Sequence, residues 1–211
     1  MEATQIPTIP PHYLERVRGL LAHSERVLLG LVGPPGAGKS SAAEQLRQAF
    51  ADCAQVVPMD GFHLANSELR RLGRGERKGA PDTFDAAGYL ALLERLRRPR
   101  AGETVYAPEF RREIEEPVAG AIAVPAETRL VITEGNYLLL DDEPWAQIAG
   151  LLDEAWYVEV DDGLRTARLM RRHQQFGRSA EEARAWVAAT DEPNARRVEA
   201  SRHRAAMVLH W

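Results

Sequence analysis

Val27-Leu-Leu-Gly-Leu-Val32, followed directly by Gly33-Pro-Pro-Gly-Ala-Gly-Lys39-Ser40, decides the fold. The first six residues carry no polar side chain, the pattern of a strand buried on both faces. The next eight match G-x-x-x-x-G-K-[S/T] at every fixed position. Glycines let such a loop turn so that successive backbone N–H groups surround phosphate oxygens. Helical spacing returns over residues 40–50, so the positive end of a helix dipole faces the same anion. The segment Gly33, Pro34, Pro35, Gly36, Ala37, Gly38, Lys39, Ser40 and Ser41 is therefore expected to bind a nucleotide. Lys39 would reach the β and γ phosphates, and the Ser40 hydroxyl would ligate Mg²⁺.

Working outward, apolar runs predict further strands over residues 55–59, 129–134, 155–160 and 207–211. Helical periodicity predicts helices over 13–22, 85–97, 180–189 and 194–206, and one from the Asp161-Asp162 cap to about residue 175. Strands alternating with helices imply right-handed crossovers. The expected fold is an α/β three-layer sandwich, a mostly parallel five-stranded sheet with helices on both faces. Residues 99–125 carry prolines at 99, 108, 117 and 125 and read as loops with two short strands, 103–107 and 118–124, on the substrate side. One domain is expected over residues 1–211, with a small lid at about 162–178.

The 211 residues are 45% hydrophobic and 27% charged, which excludes disordered, collagenous and coiled-coil readings. A formal charge of -4 argues against a dedicated nucleic-acid binder. Lysine occurs only at Lys39 and Lys78, so the remaining positive charge is arginine. Cys53 is alone, which rules out an internal disulfide or a thiolate metal cluster. The opening residues lack a basic region followed by an apolar core, and the run 27–32 is too short to span a bilayer. A cytoplasmic protein with no membrane or nucleic-acid partner is expected.

A phosphate loop names a nucleotide site rather than a reaction, and three classes can be tested. A GTPase needs Asn-Lys-x-Asp, and neither lysine stands in that tetrapeptide. A transporter-type ATPase would carry Ser-Gly-Gly and a strand ending Asp-Glu, whereas the matching strand ends Ile132-Thr133-Glu134-Gly135. Small-molecule kinases remain. Phosphoryl transfer to a hydroxyl needs an in-line acceptor, a carboxylate to take its proton, and positive charge around the transferring group. Asp60, at the carboxyl end of a strand, is the candidate base. Glu134, ending another strand, is the candidate to hold a metal-bound water or orient Asp60.

The phosphate loop, Met59-Asp-Gly-Phe-His63, Lys78-Gly-Ala-Pro-Asp-Thr-Phe-Asp85, Ala107-Pro-Glu-Phe110 and Glu134-Gly-Asn-Tyr137 together resemble the phosphoribulokinase, uridine kinase and bacterial-type pantothenate kinase group. The resemblance runs from about Val27 to the C-terminus. It implies that Asp60 acts as the base, that Glu134 joins Ser40 at Mg²⁺, and that an arginine-bearing lid helix covers residues 164–177. Arg165, Arg168 and Arg172 share a face there, with Arg171 beside them, and such a cluster can neutralise charge on the transferring phosphate. Substrate contacts are expected from Asp60, His63, Lys78, Phe110, Arg112 and Tyr137. Gly79 stands where uridine kinases carry an acidic residue, Lys78-Gly-x-Pro is closer to pantothenate kinases, and His63 is similar to phosphoribulokinases. Phe110-Arg111 replaces the family's frequent aromatic-Asp, and Arg111 and Arg112 favour an anionic acceptor.

The expectation is therefore an ATP- and Mg²⁺-dependent phosphotransferase acting on a hydroxyl of a small metabolite: a sugar, a nucleoside or a pantothenate-like acceptor. Lys39, Asp60, Glu134, Arg168 and Arg172 are the candidate catalytic residues. Two alternatives stay open, a nucleotide-binding regulator without transfer activity and a nucleoside monophosphate kinase. A homodimer through the 99–125 segment is also compatible with the sequence.

Overall fold

The computed structural model describes residues 7–211; the opening residues read above for a leader lie partly outside it. Helix α1 (Pro11–His23) precedes β1 (Val27–Val32), which runs into the phosphate loop and then α2 (Lys39–Ala49). Next come β2 (Ala54–Pro58), α3 (Asn66–Arg71) and α4 (Ala86–Arg97). A hairpin of β3 (Val105–Arg111) and β4 (Glu116–Val124) interrupts the alternation before β5 (Leu130–Gly135) and β6 (Glu154–Glu159). The chain closes with α5 (Asp162–Gln175), α6 (Ala180–Trp186), α7 (Glu192–Ala200) and β7 (Met207–His210).

The five-stranded sheet has the order β2-β5-β1-β6-β7, and every pairing in it is parallel. Strand β1 is central and buried throughout, as its unbroken apolar run requires. Its alternate residues serve opposite layers. Leu29 and Leu31 pack with Ile132, Trp156 and Val158 under Tyr13 and Val17 of α1 and Ala43 and Leu46 of α2. Leu28 and Val32 pack with Val57 and Val131 against Tyr89, Leu93 and Leu96 of α4 and Val198 of α7. Burial of each such leucine contributes about 1.5–3 kcal/mol.

Several local expectations change. The predicted strand ending at Met59 stops at Pro58, because Met59–Phe62 forms a 3-10 turn that presents Asp60. Helix α3 was not expected. The 99–125 stretch is more regular than its prolines suggest, for Pro108 sits at an irregularity where Ala107 pairs with Ile122 but Glu109 pairs with Val118. Residues 119–121 of β4 bulge opposite Pro108, which removes the need for its missing N–H. The last two predicted helices are joined by a π-helical turn at Val187–Asp191, and the second ends at Ala200. No helix among the described residues is long and apolar enough to cross a membrane.

Candidate active site

A cleft of about 620 Å³ opens where the phosphate loop, β2 and β5 end, facing the hairpin and α5. Gly38 has φ 94°, in the left-handed region that a Cβ disfavours, and the helix begins one residue later at Lys39. Pro35, Gly36, Gly38, Lys39, Ser40 and Ser41 line the cleft. Gly33 and Pro34 act through their carbonyls, which accept from Lys39 Nζ at 3.0 and 3.1 Å, and Ala37 is buried. The third Lys39 proton goes to Asn136 Oδ1 at 2.7 Å. Only neutral oxygens hold this buried ammonium, and burial pushes its pKa down. No carboxylate lies within ion-pair distance of it among the described residues, so the site fits a phosphate.

Ser40 Oγ donates to Glu134 Oε1 at 2.9 Å. A hydroxyl and a carboxylate side by side are the hard oxygen donors Mg²⁺ prefers, and it takes few of them from protein when phosphates supply the rest. Among the described residues no group of three or more His, Cys, Asp and Glu is arranged to hold a metal ion. Burial, and the nearby Asp60 carboxylate, push the Glu134 carboxyl up against the pull of Lys39.

Asp60 lines the same cleft on the 3-10 turn after β2. Arg112 Nη2 from the β3–β4 turn approaches its Oδ2 at 3.3 Å. Burial pushes the Asp60 carboxyl up, but the pull of His63 when its ring is protonated, and of Arg112, Lys39 and Arg172, outweighs it and the net direction is down. Nδ1 of His63 lies 2.8 Å from the Asp60 carbonyl, and its ring packs on Phe84 and Phe110 with centroids 4.0 and 4.7 Å away. Burial pushes the His63 imidazole below its ordinary value, favouring the neutral ring.

The remaining expected substrate contacts divide. Lys78, Phe110 and Arg112 line the cleft beside Asp60. Arg111 does not; it is exposed and pairs with Glu109 at 2.6 Å. Tyr137 is fully buried, outside the cleft wall, and its hydroxyl donates to the Gly79 carbonyl at 2.5 Å. It braces the Lys78-Gly79 loop rather than facing an acceptor. On α5, Arg168 and Arg172 reach the cleft, Arg168 also approaching the Ala37 carbonyl at 3.4 Å. Arg165 turns away and is buried, paired with Asp162 at 3.1 Å and Glu192 at 2.6 Å.

Sequence reasoning passed over Asn136, although it stands two residues after Glu134 in the turn that closes β5. It also missed Arg178 and Trp186, which line the lid side of the cleft. Their relation is tertiary: the Arg178 guanidinium lies 3.6 Å above the Trp186 ring centroid across the α5–α6 junction. No local spacing marks it.

With this geometry in hand, likeness to known proteins is informative. The profile of the phosphoribulokinase / uridine kinase family matches residues 28–209. A Schizosaccharomyces pombe protein named "Putative uridine kinase C227.14" is 38% identical over 175 residues, covering 79% of this chain and 74% of its own. The Escherichia coli protein YggC is 37% identical over 189 residues, 87% of this chain and 77% of its own. A crystal structure of a "putative fructose transport system kinase" from Silicibacter sp. TM1040 superposes with a TM-score of 0.82 at 36% identity, covering 92% of this chain and 97% of that one. The chain belongs to the phosphoribulokinase/uridine kinase family of P-loop kinases.

Proposed function

We propose that the chain transfers the γ-phosphate of ATP to a hydroxyl of a small metabolite. The observation that supports this reading is the convergence in one cleft of Lys39, the Ser40–Glu134 oxygen pair and Asp60. The loop N–H groups and Lys39 would bind the β and γ phosphates. Mg²⁺, held by Ser40 and Glu134, would neutralise the phosphate charge. Asp60, kept ionised by the cations around it, would accept the acceptor's hydroxyl proton. The acceptor oxygen then bonds to the γ-phosphorus as the bond to the bridging oxygen breaks and ADP leaves. Arg168 and Arg172 would carry charge on the transferring group.

The test is ADP formation from Mg²⁺-ATP across an acceptor panel. Pantothenate, uridine, cytidine, fructose, glycerate and nucleoside monophosphates belong in it. One acceptor should raise the rate well above the slow hydrolysis expected without any. Product carrying the phosphate on a group other than a hydroxyl would overturn the reading.

A further inference from the structure

Glu134 and Asn136, alternate residues where β5 ends, both turn toward the phosphate loop. Glu134 Oε1 accepts from Ser40 Oγ at 2.9 Å, and Asn136 Oδ1 accepts from Lys39 Nζ at 2.7 Å. Neighbouring residues of the loop are thus met by alternate residues of one strand end. Lys39 and Glu134 are both buried, and Glu134, ahead of Asp60, is the carboxylate whose charge acts most strongly on the ammonium. Two buried opposite charges so placed gain from direct contact, because neither has water around it. Contact here would disable both, leaving no free ammonium for a phosphate and no free carboxylate for a metal ion.

The pair does not form. An ammonium has three protons, and those of Lys39 go to the Gly33 carbonyl, the Pro34 carbonyl and Asn136. The first two acceptors are backbone of the loop itself. Asn136 is the one side chain among them, and it comes from the same strand end as Glu134. Its backbone is held on both sides. A Cβ on Gly135 would stand 2.6 Å from Met59 Cβ, so the strand end is pressed against the turn that carries Asp60. On the other side Tyr137 is fully buried, with its hydroxyl donating to the Gly79 carbonyl.

We propose that Asn136 is a positioning residue that keeps the empty site from neutralising itself: its neutral amide takes the Lys39 proton that would otherwise go to Glu134. This rests on the kinase reading above. An incoming phosphate then displaces an amide oxygen from Lys39 rather than breaking a buried ion pair, and Glu134 stays available beside Ser40. The neutrality of the side chain matters as much as its reach. A carboxylate in its place would compete with the phosphate for the same ammonium.

The test is a double-mutant cycle read by calorimetry, with a non-hydrolysable ATP analogue and Mg²⁺ titrated into the full chain. Asn136→Leu, similar in size but without the oxygen, should weaken binding by about tenfold or more, because Lys39 turns to Glu134. Asn136→Ala, which adds no bulk, should do the same. Glu134→Gln starts from a lower affinity, but within it neither change should alter binding by more than about twofold, since the lysine has no carboxylate there to join. Asn136→Asp sets a carboxylate directly on Lys39 and should weaken binding in both backgrounds. A loss from Asn136→Leu and Asn136→Ala that is as large in Glu134→Gln as in the native background would make Asn136 a structural residue and overturn the inference. Native affinity in both variants would overturn it too. Failure of the native chain to bind the analogue would instead overturn the kinase reading.

Discussion

Lys39 illustrates how a residue's surroundings reveal its purpose. A buried ammonium held only by carbonyl and amide oxygens has lost its hydration without gaining a counter-charge in direct contact, so binding a phosphate releases stored unfavourable energy. Lys39→Ala is expected to lower kcat/KM by about 10²–10³ and weaken nucleotide binding, measured by steady-state kinetics and calorimetry. Unchanged values for both would reject the phosphate-loop assignment. Glu134 makes the opposite case, a carboxylate that the fold holds at a cost. Its folded pKa lies above its ordinary value, so the free protein loses stability as pH rises from about 4.5 through the raised value. Asp60, with its pKa depressed, acts only at lower pH and does not cancel that slope. Glu134→Gln keeps the acceptor for Ser40 and should raise the melting temperature at neutral pH by a few degrees, about 1 kcal/mol, while impairing Mg²⁺-dependent turnover. A lower melting temperature would contradict this account. Because Asp60 is held ionised, kcat should show no acid limb assignable to the base between about pH 6 and 8; a limb near pH 7 that disappears in Asp60→Asn would show the base titrating there.

Among the elements, the β3–β4 hairpin and α5 set the two walls of the cleft. The Pro108 carbonyl of the hairpin passes 2.3 Å from where a Cβ on Gly61 would stand, so the hairpin is seated against the Asp60-Gly61 turn by a backbone contact that tolerates no side chain. Gly61→Ala is expected to destabilise the fold by about 1–3 kcal/mol in denaturant titration and to raise the acceptor's KM more than ATP's. An equal rise in both would say that the hairpin does not serve the acceptor side. Elements with a strong local pattern were legible: β1, β5, α4 and the capped start of α5 lie close to where their sequences put them. The hairpin was less so, because Pro108 and Pro117 look like strand breakers until the bulge and the strand end that accommodate them are known. Arg165, Arg168 and Arg172 read as one helix face, yet Arg165 is drawn aside by Glu192 of α7, a contact between residues 27 positions apart in sequence. Spacing within a helix cannot report what another helix offers.

At the scale of the molecule, the parallel sheet brings three distant segments to one edge. The loop after β1, the turn after β2 and the end of β5 meet because β2, β5 and β1 are adjacent, which sets Asp60 and Glu134 beside the phosphate loop. That placement follows from the general rule that ligands bind at the carboxyl ends of parallel strands, and it made the ATP half of the site readable from motifs. The acceptor half was read only in outline. Lys78, Phe110 and Arg112 were named, but Tyr137 proved to be a brace, Arg111 to face outward, and Arg178 to be present unannounced, since that wall is assembled from a hairpin, a turn and a helix junction. The central claim is that Asp60 is the base for transfer from a nucleotide held by the phosphate loop. The most direct measurement is phosphoryl transfer by Asp60→Asn with an acceptor that the native chain uses, run beside calorimetry of Mg²⁺-ATP-analogue binding. The account predicts a fall in kcat of about 10²–10⁴ with nucleotide affinity preserved. Turnover within a few-fold of the native rate would contradict it.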